Sequence, residues 1–117
     1  MSAQERAFSE AEIRERLLGT GLSQWALEGG ALRRVYQTDG WRGSLLVANA
    51  IGFICEAADH HADLTVTWPK VAVALSTHSA GGITAKDFEV AARIEAEVLW
   101  APSAGSSLKG PAKPFVK

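Results

Sequence analysis

The chain has 117 residues, 47% of them apolar and 21% charged, with a formal net charge of −1. That length makes one domain around a single hydrophobic core. The near-neutral balance offers no basic surface for nucleic acid and none for an anionic membrane.

Met1 to Arg6 is polar and charged, without the apolar stretch of a secretory signal. Ser9-Glu10-Ala11-Glu12 opens a capping box, and Ile13, Leu17 and Leu18 lie on one helical stripe that Gly19 and Gly21 stop. Trp25 to Glu28 alternates apolar and polar. Gly29-Gly30 is a hairpin turn, and Ala31 to Gln37 is the returning strand. Thr38-Asp39 can cap a second helix through Trp41, Leu45, Leu46, Val47, Ile51, Phe53, Ile54 and Cys55. Its apolar residues go nearly all round, which predicts burial on two sides, against its own sheet and against another surface. The longest nearly uncharged run, Gly43 to Cys55, lies inside this helix and is too short to span a bilayer. Cys55 is the single cysteine and reads as a small core residue; a reducing cytoplasm is the simplest compartment.

The second helix should end near Asp59-His60. Leu64 to Trp68 reads as a strand, Pro69-Lys70 as a tight turn, and Val71 to Thr77 as a strand with Val71, Val73 and Leu75 on one face. Ser79 to Ile83 is a Gly-rich loop. Thr84 with Asp87 forms a second capping box, opening a helix through Phe88, Ala91, Ala92, Ile94, Glu95 and Val98. The order α-β-β-α-β-β-α predicts an α+β fold, a four-stranded antiparallel sheet with three helices on one face. The domain covers residues 1–100. Residues 101–117 carry three of the four prolines and read as a flexible C-terminal tail.

All three histidines, His60, His61 and His78, fall between Glu56 and Asp87. Histidine titrates nearest neutral pH, so the cluster points to proton chemistry or a metal. Glu56 and His60 are four apart and would share a helix face. His60 at a helix C-terminus could equally be a cap, and Asp87 no more than a capping acid. Zinc sites place histidines three to five apart on one element or use cysteine pairs, and neither pattern is present. Trp25 and Trp41 fit core positions. Trp100 suits a lid or interface, and Trp68, within the histidine segment, suits a pocket wall.

Glu56, His60-His61, Trp68, Thr77-His78, Gly81-Gly82-Ile83-Thr84 and Asp87 together resemble the pterin-4a-carbinolamine dehydratase family. The family pattern runs acid, His-His, aromatic, His, Asp. Here its gaps are three, five, nine and eight residues, with Ala62 where the family usually has Pro, Cys or Ser. The resemblance implies a 4a-hydroxytetrahydrobiopterin dehydratase, a carbon–oxygen lyase. It would remove water from a 4a-hydroxytetrahydropterin to give quinonoid dihydropterin during tetrahydropterin recycling, with no metal or organic cofactor. It implies His60 and His78 as the acid–base pair and His61 as a hydrogen-bonding partner of the pterin. Glu56 would orient His60, Asp87 would orient His78 or brace the loop, Thr77 would adjoin the site, and Trp68 would wall the flat ring. It also implies a homo-oligomer, dimer or tetramer. The alternative is a non-catalytic protein-binding module of the same fold, an assembly factor or a dimerisation cofactor. Assembly-factor relatives generally lose the histidines, and this chain keeps three.

Overall fold

The computed structural model describes residues 6–117. The polar run at Met1 to Arg6 lies outside them except for Arg6. Ser9 caps the first helix, α1 (Glu10–Gly19). Its hydroxyl accepts from the Glu12 amide at 3.2 Å, and the Glu12 carboxylate accepts from the Ser9 amide at 2.9 Å. Ile13 and Leu17 are buried as expected, but Leu18 lies outside the stripe and is exposed. The hairpin β1 (Ala26–Glu28) and β2 (Ala31–Gln37) turns at Gly29 and Gly30. Their φ values are 59° and 76°. Two consecutive left-handed residues make the turn whose twist suits a hairpin, and glycine takes it without strain.

Helix α2 (Trp41–Ala58) begins without a side-chain cap, so Thr38 and Asp39 do not cap it; Gly40 holds that position. Thr38 instead directly follows β2, and its amide donates to the Pro69 carbonyl at 2.8 Å. Its hydroxyl is shared with Ser44 at 2.7 Å. One side of α2 is buried through Val47, Ile51, Ile54 and Cys55. The other side leaves Trp41, Leu45, Leu46 and Phe53 between 41% and 76% exposed. Trp41 is therefore not a core residue of the single chain.

β3 (Asp63–Thr67) and β4 (Lys70–Leu75) pair about a Trp68-Pro69 turn, one residue earlier than the spacing suggested. β4 stops two residues short of Thr77. Thr77 bridges to Gly82 instead, closing a short 3-10 turn at His78–Ala80. The last helix, α3 (Ala85–Val98), carries the expected capping box of Thr84 and Asp87.

The sheet order is β1-β2-β4-β3, antiparallel throughout. Leu32 and Tyr36 of β2 and Val71, Val73 and Leu75 of β4 meet Ile51 of α2 and Ile94 of α3 in the core. Each is 1% exposed or less. Full burial of such a side chain stabilises the fold by roughly 1.5–3 kcal/mol. Arg33, Val35 and Gln37, on the opposite face of β2, are exposed, so the three helices cover one face only.

Residues 101–117 form no helix or strand. Their end nevertheless returns to the domain. Val116 bridges to Thr38, and the Lys117 amide donates to the Gln37 carbonyl at 2.9 Å. Gly43 lets this happen: a Cβ there would stand 2.8 Å from the Phe115 carbonyl oxygen. Between the tail and the end of α3 lies an apolar groove of about 570 Å³, edged by Leu99, Trp100 and Leu108.

Candidate active site

The end of α2 sets the geometry. Asp59 takes the left-handed conformation, φ 52° and ψ 43°. The His60 amide then reaches back to the Cys55 carbonyl at 3.1 Å, closing the helix. Asp tolerates this backbone better than most residues because its short polar side chain bonds locally. The turn takes His60 off the helical face it would otherwise share with Glu56. Its ring points inward, 13% exposed, and Nε2 lies 2.7 Å from Asp87 Oδ1. His61 swings the other way and pairs with Glu56 at 2.9 Å on the surface.

Two expected pairings are therefore corrected. Glu56 holds His61, not His60. Asp87 holds His60, not His78, and it does brace the loop, through Thr77 and Thr84. The four-residue spacing of Glu56 and His60 fails because the helix ends between them.

Asp87 is fully buried. Its Oδ2 accepts from the Thr77 hydroxyl at 2.7 Å and from the Thr84 amide at 2.9 Å. One carboxylate thus joins three segments: the end of α2 through His60, the end of β4 through Thr77, and the start of α3. His78 follows Thr77 directly and is exposed on the 3-10 turn. Thr84 completes the group, its hydroxyl 2.9 Å from that of Thr77. Thr84, expected as a helix cap and as part of the Gly-Gly-Ile-Thr turn, is therefore also a hydrogen-bonding member of the site, and its place three residues before Asp87 is the signal in the sequence for that role.

Trp68 is not brought to this cluster. It occupies the turn at the far end of the β3–β4 hairpin, where Thr67 faces Lys70. The histidines sit at the other end, where Asp63 faces Ala74. Five strand residues separate the two ends by roughly 16 Å. The indole is 64% exposed and lies against Gly40.

A second polar cluster sits on the helix-facing side of β2. Glu95 of α3 accepts from Tyr36 at 2.6 Å, from Trp25 at 3.0 Å and from the Arg34 guanidinium at 3.0 and 3.2 Å. Burial pushes the Glu95 carboxyl up, but the donors of Arg34, Tyr36 and Trp25 outweigh it and hold the group below its ordinary range. Burial, and then the neighbouring carboxylate, push the Tyr36 phenol well above its usual value. Among the described residues, no group of three or more His, Cys, Asp or Glu side chains could hold a metal ion. No helix among them is long and apolar enough to cross a membrane.

The family model for pterin 4 alpha carbinolamine dehydratase matches residues 6–97. The chain belongs to this family. A protein of Roseiflexus castenholzii named "Putative pterin-4-alpha-carbinolamine dehydratase" is 40% identical over 88 residues, covering 75% of this chain and 92% of that one. A protein of the same name from Aquifex aeolicus is 38% identical over 90 residues, covering 77% and 89%. Among solved structures, a transcriptional coactivator/pterin dehydratase from Brucella melitensis superposes with a TM-score of 0.70 at 25% identity, covering 78% of this chain and 97% of that one. The α+β architecture of three helices and a four-stranded antiparallel sheet is that of this pterin dehydratase neighbour.

Proposed function

We propose that this member of the pterin carbinolamine dehydratase family is an active dehydratase that removes water from a 4a-hydroxytetrahydropterin to give quinonoid dihydropterin. In that elimination the C4a–O bond breaks, the oxygen takes up one proton and leaves as water, and a ring N–H gives up another. One proton is donated and one accepted, so a histidine acid and a histidine base suffice near neutral pH. The observation that carries the reading is the buried Asp87 carboxylate, which holds His60 on one side and Thr77, next to His78, on the other. His60 and His78 are the acid–base pair. His61, held by Glu56 at the surface, bonds the pterin. An imidazole oriented by a supporting carboxylate is a common arrangement in proton transfer. The product would feed tetrahydropterin recycling after aromatic hydroxylation in the cytoplasm.

The decisive experiment is dehydration of chemically prepared 4a-hydroxytetrahydropterin. Purified protein should speed its decay without added metal, and a chelator should not slow it. Folded protein that gives no acceleration over buffer overturns this reading. The same result would favour a protein-binding role, for which the name of the Brucella neighbour and the exposed apolar side of α2 are the supporting observations.

A further inference from the structure

The hydrogen bonds around Asp87 have a direction, and it reaches the ring of His60. The Lys86 amide can only donate, and it donates to Thr84 Oγ1 at 3.2 Å. The Thr84 hydroxyl hydrogen can then go to Thr77 Oγ1, 2.9 Å away. The Thr77 hydroxyl hydrogen goes to Asp87 Oδ2 at 2.7 Å, and the Thr84 amide donates to the same oxygen at 2.9 Å. Oδ2 is thus surrounded by donors, and Oδ1 faces His60 Nε2 at 2.7 Å. A carboxylate held this way accepts on both oxygens, so Nε2 must donate.

We propose that Thr84 and Thr77, acting through Asp87, hold neutral His60 as the Nε2–H tautomer, so that Nδ1 is the atom that exchanges a proton with substrate. The last clause rests on the dehydratase reading; the tautomer does not. Which ring nitrogen carries the proton is set by the bond the other makes. No hydrogen bond to Nδ1 is made among the described residues, and no buried side-chain nitrogen or oxygen there lacks a partner. Nδ1 is therefore open to solvent and to a ligand. Thr84 becomes a positioning residue as well as a helix cap.

Nitrogen NMR of the full chain with ¹⁵N-labelled histidine tests this without substrate. Neutral His60 should show a protonated Nε2 and an unprotonated Nδ1. Asp87→Asn makes the sharper test. Its amide oxygen must take the Oδ2 place among the donors, which turns its NH₂ toward Nε2. That nitrogen must then accept, and the proton should move to Nδ1, with turnover falling roughly 10²–10⁴-fold. With the amide in place, adding Thr77→Val removes one of the donors that fix its direction and should give mixed tautomers, whereas adding Thr77→Ser should keep one, a difference that loss of packing alone would not produce. A His60 protonated on Nδ1 in the unmodified chain overturns the proposal. So does an unchanged tautomer in folded Asp87→Asn; should that variant not fold, the ring of the unmodified chain decides by itself. An Nε2–H ring in a protein with no dehydratase activity would refute the enzyme reading while leaving the tautomer assignment standing.

Discussion

His60 Nε2 and Asp87 Oδ1 lie 2.7 Å apart, and the same carboxylate closes the capping box of α3 through the Thr84 amide. Fold and candidate site therefore depend on one side chain. Asp87→Ala removes the acceptor of the Thr77 hydroxyl, the Thr84 amide and the His60 ring together. Loss of the cap and the unpaired buried groups should cost about 2–4 kcal/mol. Urea denaturation measures this. A loss below about 0.5 kcal/mol would show that the carboxylate does not bridge these segments in solution.

The histidines should separate by role. His60→Ala and His78→Ala should each lower turnover roughly 10²–10⁴-fold, the range for a positioned acid or base. His61→Ala should raise KM more than it lowers kcat, because the ring sits on the surface with Glu56. Steady-state kinetics on the carbinolamine decide it. A His61→Ala variant that loses kcat as heavily, with binding intact, would reverse the assignment.

Glu95 and Tyr36 should give stability a pH dependence at both ends. The folded carboxyl of Glu95 lies below its ordinary 4.5. Its contribution is complete above that value and is lost as pH falls toward the folded one. The folded phenol of Tyr36 lies above its ordinary 10.0, so its contribution is complete below that pH and declines as pH rises beyond it. Glu95→Gln should flatten the acid side of a plot of unfolding free energy against pH, and Tyr36→Phe the alkaline side. Curves for the two variants that parallel the parent would show that the cluster is not ionised as described. Glu95→Ala, which strands Arg34 and Tyr36, should cost roughly 2–4 kcal/mol at neutral pH.

The outer side of α2 should be an interface between copies of the chain. Phe53 is 76% exposed and Leu46 41%, on the same helix as the exposed Trp41 and Leu45. Four large apolar side chains exposed along one side of a helix are unusual in a soluble monomer, and a closed symmetric pair is the commonest way to cover them. Light scattering should find at least a homodimer. Phe53→Asp or Leu46→Lys should split it. A stable monomer of the unmodified chain at micromolar concentration would refute the assembly.

The amino-acid sequence by itself determined the element order, the Gly29-Gly30 hairpin and both capping boxes, because each depends on residues within four of one another. It also singled out Glu56, His60, His61, Thr77, His78 and Asp87, through spacing that resembles a family. It could not assign partners among them. A helix rule pairs Glu56 with His60 only while the helix lasts, and the left-handed Asp59 ends it one residue too soon. His60 and Asp87 are 27 residues apart and meet only because α3 packs beside α2. Trp68 shows the converse. It is near the histidines in the chain, but an extended strand carries it away from them. Glu95 reads from sequence as one more polar helix position. Only tertiary packing brings it three donors, Arg34 and Tyr36 from β2 and Trp25 from the segment before β1, since a buried carboxylate is tolerated where tertiary structure supplies them.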